Sequence, residues 1–329
     1  MYDITFLGNS PVDVLINVSD DILKKYNLKK GDWAPVSPEV IQNVLNDVQG
    51  TEKTIMPGGS AGNTAYGAAR LGSKVAFNGY VGDDDMGHTY YKSLTEAGID
   101  MPKPVAGGKT LVIYVLITPD GERTFITTAE RVALGESGVN EQMIAQSKWL
   151  YIEGYLFDNE FQAVLKACHV ARKNNVKIAL TLAASFFVEQ HFSKIAMLIR
   201  DGIDLYICND EELYTLKNCE LTGDDAQHAE QTLARLRETP HLVTSGSKGA
   251  TLQTLKGKIH VPTQPIEKIV DATGAGDAFA AGFMHGYVRN LETETAINLG
   301  HSLAGLIIQQ TGGRLPDGYE RILKSHQAA

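Results

Sequence analysis

Six short apolar runs, separated by stretches with helical spacing, restrict this chain more than any other feature. ITFLGN (4–9), KVAFNGYVG (74–82), WLYIEGY (149–155), VKIALTL (176–182), LYICND (205–210) and HLVTSG (241–246) read as buried strands. FQAVLKACHVARKNN and AEQTLARLRE, lying among them, carry apolar residues at helical spacing and suit helices that cover a sheet. Strands that alternate with crossover helices give a parallel sheet. The expectation is therefore an α/β fold of Rossmann-like kind: a mostly parallel sheet with helices on both faces. One region breaks the rhythm. KTLVIYVLITPDGERTFITT (109–128) is two β-branched runs joined by Asp120-Gly121, a pair suited to a tight hairpin turn. A hairpin cannot be a crossover unit, so with VDVLINV (12–18) it predicts a small β layer beside the main sheet, serving as a lid or an interface.

A chain of 329 residues, 43% hydrophobic and 21% charged, can bury a large core. Its net charge of -9 disfavours a broad nucleic-acid footprint, which needs clustered Lys and Arg, and favours small-molecule partners. No apolar run approaches the ~20 residues that span a bilayer, and MYDITFLGNS lacks the basic start of a signal peptide, so no membrane partner and a cytoplasmic location are expected. Cys168, Cys208 and Cys219 form no CxxC pair and read as core or surface thiols.

Chemistry concentrates in DATGAGDAFAAGF (271–283). Thr273-Gly274-Ala275-Gly276-Asp277 allows a tight turn that presents several N–H groups in one direction, and the apolar residues after it read as a buried helix. A helix N-terminus is an anion site. Asp277 would repel a phosphate there, but fits a base that takes a proton from a hydroxyl attacking that phosphate. The same residues also read as a plain helix cap. GGKT (107–110) ends like a P-loop, but Lys103 stands where the first glycine is needed; GAGDAF has Phe279 at the third glycine of a dinucleotide fingerprint. Neither is retained. A second glycine-rich segment, MPGGSAGNTAYGAARLG, sets Gly58-Gly59 before a helix of small residues, where the Asn63 amide either meets a hydroxylated ligand or is a solvent-facing or capping amide. GNSPVD adds Asn9 and Asp13 just past the first strand, where open α/β sheets bind ligands; turn formation is their other reading.

Taken in order, GGSAGNTAYGAARLG, GYVGDDDMG, CNDEE, VTSGSKGA and DATGAGDAFAAGF resemble the ribokinase-like (PfkB) carbohydrate kinases over nearly the whole chain. ILKKYNLKKGDWAPVS and the Asn9-x-x-x-Asp13 spacing resemble the adenosine kinase branch. Ala272 and Thr273 depart from that branch's Asp-Thr-Asn-Gly-Ala-Gly-Asp, and TFITTAERVALG departs from its lid sequence.

The resemblance implies one kinase domain over 1–329, with a discontinuous β lid from roughly 11–18, 31–36, 53–57 and 109–128. It implies ATP-dependent transfer to a hydroxymethyl group of an adenosine-like nucleoside. The alternatives are a free-sugar kinase of ribokinase or fructokinase type and, more remotely, a non-catalytic nucleotide-binding protein. Asp277 would be the base, and the N–H groups of Gly274, Ala275, Gly276 and Asp277 the anion hole. Asn9, Asp13, Gly58, Gly59 and Asn63 would hold the acceptor, and Arg123, a lid arginine or a solvent-facing charge, would reach the phosphate. Thr244, Gly246, Ser247 and Gly249 would meet the nucleotide. Asn209 and Glu212 would organise Mg²⁺ through its waters, although an acidic run by itself reads as a helix start. Carbonyls of Asp271 and Thr273, with the loop QQTGGR, would hold a monovalent cation such as K⁺. His301 would touch adenine or pack on a helix face. Val112, Tyr114 and Phe125 would turn one hairpin face to the ligand or to a partner subunit, the chain being a monomer or a homodimer through the lid.

Overall fold

The computed structural model describes residues 1–128, 130–220 and 229–315, so the expected span 1–329 extends over residues 129, 221–228 and 316–329, which lie outside the described residues. Thirteen strands are described: β1 (Tyr2–Leu7), β2 (Val12–Asn17), β3 (Trp33–Pro35), β4 (Lys53–Pro57), β5 (Val75–Asn78), β6 (Val112–Ile117), β7 (Arg123–Thr127), β8 (Ser147–Glu153), β9 (Lys177–Thr181), β10 (Leu205–Asn209), β11 (His241–Thr244), β12 (Ala250–Thr254) and β13 (Gly257–Val261).

The six apolar runs become β1, β5, β8, β9, β10 and β11, parallel to one another, in the sheet order β13-β12-β11-β10-β9-β8-β1-β5, where β12 adds antiparallel to β11. Alternate residues of each strand feed opposite cores, as the two-residue pleat requires. Leu150 and Ile152 of β8 pack with Val164, Ala167 and Cys168 of the Phe161–Lys173 helix. Trp149 and Tyr151 pack on the other side with Phe279 and Phe283 of the Ala275–Tyr287 helix. Both faces are therefore covered, which explains why these runs are continuously apolar. Cys168 and Cys208 are buried and Cys219 is partly so; all three are free thiols. The antiparallel β12–β13 pair at the edge was not expected. β13 buries only Val261, so it lacks the apolar run by which the central strands are read.

The second sheet has the order β3-β7-β6-β2-β4. Its β6–β7 hairpin turns at Asp120-Gly121 as expected: Gly121 has φ +84°, and the Asp120 carboxylate accepts from Thr118 Oγ1 at 2.7 Å. β2 runs parallel to β6, with Val12 opposite Val112. On one face Val14, Ile16, Leu116 and Ile126 pack against Leu23, Ile41 and Val44 of the Asp20–Lys25 and Pro38–Asp47 helices. Here the structure corrects the sequence reading. Val112 and Tyr114 belong to this helix-covered face, because strand alternation puts them opposite Val12 and Val14. The other face carries Asp13, Leu15, Ile113, Val115 and Ile117, together with Arg123 and Phe125.

Candidate active site

All six parallel strands end on one edge of the main sheet, and the loops leaving that edge hold the chemistry. Asp277 lies in the first turn of the Ala275–Tyr287 helix, whose N-cap Gly274 is left-handed at φ +78°. A Cβ on Gly274 would stand 2.5 Å from Gly313 Cα, so both the backbone angle and the neighbouring loop demand glycine there. Gly276 differs: nothing lies within 4 Å of where its Cβ would be. No protein neighbour explains that glycine, whereas close approach by a ligand would. The Ala275 N–H closes a turn onto Ala272 O at 3.2 Å, while no acceptor among the described residues takes those of Gly274, Gly276 or Asp277.

The Asp277 carboxylate is held by the second glycine-rich segment. Ser60 Oγ donates to Oδ1 at 2.7 Å and Asn63 Nδ2 to Oδ2 at 3.0 Å. Asn63 thus faces the base rather than solvent. Desolvation raises the Asp277 pKa, against the two hydrogen bonds and the field of Arg314, which moves the carboxylate toward the range where a general base works. Ser60, at the first position of its helix, carries no sequence signal for this role.

Asp13 projects from β2 with no hydrogen-bond donor on its carboxylate among the described residues. Desolvation pushes its pKa up to about 7, opposed by Arg314 and Arg123. A Cβ on Gly58 would lie 2.4 Å from Asp13 Oδ2, and one on Gly59, at φ +83°, 2.7 Å from Pro11 Cδ. The paired glycines therefore let the turn pass against Asp13 and Pro11. Asn9 is already engaged. Its N–H and Nδ2 donate to Glu153 Oε1 at 2.6 and 2.9 Å, and its Oδ1 accepts from Arg131 at 2.7 Å. Glu153, at the end of β8, also accepts from Ala61 N at 2.9 Å, and burial pushes its pKa up to about 7. Sequence reading passed over both partners. A carboxylate closing the apolar run WLYIE was a usable signal for Glu153; the loop position of Arg131 offered none.

Arg123 joins the small sheet to the Asp271–Gly274 turn. It donates to Thr273 Oγ1 at 2.7 Å and Asp271 Oδ2 at 2.8 Å, so it is not a free hairpin charge. Burial opposes ionisation of Asp271, but Gly312 N, Thr273 and Arg123 together hold its carboxyl below the usual range. The bond from Gly312 N, 3.0 Å long, brings the QQTGGR loop against the Asp271–Gly274 turn.

Toward β10 and β11, Asn209 and Glu212 form a reciprocal capping box. Glu212 N donates to Asn209 Oδ1 at 2.8 Å, and Asn209 N and Nδ2 donate to the two Glu212 oxygens at 3.1 and 2.9 Å. Desolvation raises the Glu212 pKa to about 6. Among the described residues no three His, Cys, Asp or Glu side chains gather to hold a metal. This donor set fits Mg²⁺ only through water, since both Glu212 oxygens already face Asn209. Thr244 ends β11, and Gly246, Ser247 and Lys248 form an exposed turn. Gly249 has a structural reason for being glycine: its φ is +102°, and a Cβ would meet Val261 O at 2.2 Å. His301 packs edge-on to Phe279 with its ring nitrogen 3.1 Å from Val261 O, the packed-helix alternative. Two cavities of about 350 and 340 Å³ share Trp149, Lys177 and Tyr287 and contain none of the residues above. They border the starts of β8 and β9, away from the ligand edge of such sheets.

The chain is 30% identical over 264 residues to 5-dehydro-2-deoxygluconokinase of Lacticaseibacillus casei, covering 77% of this chain and 80% of that one. It is 26% identical over 332 residues to adenosine kinase of Saccharomyces cerevisiae, covering 94% and 96%. The crystal structure of adenosine kinase from Sinorhizobium meliloti superposes with a TM-score of 0.84 at 32% identity, over 100% of this chain and 99% of that one. No helix among the described residues is long and apolar enough to cross a membrane. Residues 26–317 match the model of the pfkB family carbohydrate kinases, and the chain, a sugar or nucleoside kinase, belongs to that family.

Proposed function

We propose that the protein moves the γ-phosphoryl group of ATP to a hydroxymethyl group of a nucleoside of adenosine type. The observation that carries this reading is Asp277, held by Ser60 and Asn63 at a helix start with unpaired N–H groups, opposite an unpartnered Asp13 beside the apolar face of the small sheet. Asp13 accepts from vicinal hydroxyls of the acceptor. The flat base lies against Leu15, Ile113 and Phe125. Asp277 takes the proton of the hydroxymethyl group as its oxygen attacks phosphorus, and the N–H groups of Gly274, Gly276 and Asp277 gather the developing charge. Arg123, standing on Thr273 and Asp271, adds its cation from the lid side. Thr244, Gly246 and Ser247 receive the nucleotide. Mg²⁺, when bound, neutralises phosphate charge, with Glu212 and Asn209 orienting its waters. A monovalent cation at the carbonyls of Asp271 and Thr273 would steady the anion-hole turn. The small sheet acts as the lid that excludes water.

A sugar or sugar-acid acceptor is the second reading, favoured by Arg131, which places a guanidinium on Asn9 beside the acceptor recess. ADP release measured with adenosine, other nucleosides, ribose, fructose and 5-dehydro-2-deoxygluconate separates the two. The nucleoside reading expects adenosine or a close analogue to lead in kcat/KM. It fails if a free sugar or sugar acid leads by about a hundredfold, roughly 2.7 kcal/mol of transition-state discrimination.

A further inference from the structure

Arg314 follows the Thr293–Ile307 helix in a loop that no motif marked as an acceptor element. Its Nε donates to Pro57 O and its Nη1 to Gly62 O, each at 3.2 Å. Those two carbonyls bracket Gly58, Gly59, Ser60 and Ala61. One guanidinium therefore straddles the turn that makes room for Asp13 and starts the helix holding Asp277. Its carbon lies 4.8 Å from the Tyr66 ring centroid and 5.8 Å from that of Tyr90, so aromatic faces fix its plane.

No carboxylate of the described residues forms an ion pair with Arg314, and its Nη2, like Tyr90 Oη and Ser10 Oγ, is buried with no hydrogen bond of good geometry, although Tyr90 and Arg314 are close enough to perturb each other's ionisation. The chain also leaves space for this pair of side chains: a Cβ on Gly62 would stand 2.2 Å from Tyr90 OH. An arginine held this dry needs compensating charge. The carboxylates that feel it are Asp13 and Asp277. Asp13 is faced in addition by Arg123 from β7; Asp277 by Ser60 and Asn63; Arg314 by Tyr66, Tyr90 and Asp13.

We propose that Arg314 is the positioning residue of the acceptor side, fixing the Gly58-Gly59 turn through its two carbonyl contacts and setting a buried positive charge beside the turn against which Asp13 packs. This rests on the kinase reading above. It assigns two separable jobs, one to the fork of the guanidinium and one to its charge.

Arg314→Lys keeps the charge and loses the fork; Arg314→Gln keeps a hydrogen-bond donor and loses the charge. Both are assayed for KM of the best acceptor in the screen above, KM of ATP, and thermal stability between about pH 6 and about 9. With the Arg314 charge gone, Asp13 protonates more readily. The Gln variant should therefore show an acceptor KM raised about tenfold near neutrality that recovers as pH rises. The Lys variant should show a rise that pH does not repair. ATP KM should stay within about twofold in both. In an Asp13→Asn background, Arg314→Gln should no longer alter the pH dependence, which separates this effect from one on Asp277. If Arg314→Gln does not fold, a pH-independent rise confined to the acceptor in Arg314→Lys still supports the fork. Folded variants with acceptor KM within about twofold of wild type at every pH, or acceptor and ATP KM rising together, overturn the proposal. A wild type that releases no ADP with any acceptor removes the kinase reading instead, and calorimetric titration of adenosine into the same variants then decides the role of Arg314 separately.

Discussion

Asn63 and Asp277 lie 214 residues apart in the chain and meet through a 3.0 Å hydrogen bond between the first turns of two helices. Ser60 makes the companion bond to the other carboxylate oxygen. The proposed base is thus oriented by the glycine-rich segment that also shapes the acceptor recess, so acceptor placement and proton removal share one support.

Asp277→Asn should abolish turnover while nucleotide binding persists. The amide is nearly isosteric but cannot take the hydroxyl proton, and loss of a general base costs about 10²–10⁴-fold in rate. Steady-state kinetics together with calorimetric titration of ATP checks this; retention of more than about a tenth of wild-type kcat removes Asp277 from the role.

Ser60→Ala should move the acid limb of the kcat profile to higher pH. Desolvation already raises the Asp277 pKa and the Ser60 bond lowers it, so deleting that bond raises it further. A base must be ionised to act, so activity is lost as pH falls through this raised value, and at a higher pH in the variant than in wild type. An unmoved limb with unchanged kcat would show that Ser60 does not tune the base.

Gly58→Ala should act on the acceptor through Asp13. The added Cβ would stand 2.4 Å from Asp13 Oδ2, so the carboxylate or the turn must shift. Overpacking of this kind costs about 1–3 kcal/mol. Acceptor KM should rise roughly tenfold or more, approaching the effect of Asp13→Ala, with ATP KM little changed. Equal effects on both substrates would point to general destabilisation.

The small sheet should become protected when the acceptor binds. Leu15, Ile113 and Phe125 share the face bearing Asp13, while Val14, Ile16 and Leu116 are already packed under helices. Hydrogen exchange across residues 112–127 should slow on adding a nucleoside and slow less with ribose, which cannot fill that face. Equal protection by both ligands would remove the base from this surface. Phe125→Ala should raise nucleoside KM more than ribose KM.

The strands and their parallel pairing were legible because burial on both faces forces continuous apolar runs, and the β6–β7 turn because Asp120-Gly121 suits its backbone. The edge strand β13 was not legible, since a strand that buries a single residue needs no apolar pattern. Asp277 and Asn63 stood out as polar residues in small-residue surroundings, where local composition already signals close approach, and Asp13 by its place just past the first strand. Which partners they meet is another matter. Glu153 on Asn9, Ser60 on Asp277, Arg131 on Asn9 and Arg314 across the Gly58-Gly59 turn are contacts between residues 122 to 257 positions apart. Local sequence determined the elements, the turns and the residue types capable of chemistry, because propensity and periodicity act over a few neighbours. Only the tertiary structure decided which charges share a dry space, because desolvation and long-range fields depend on what the fold brings together.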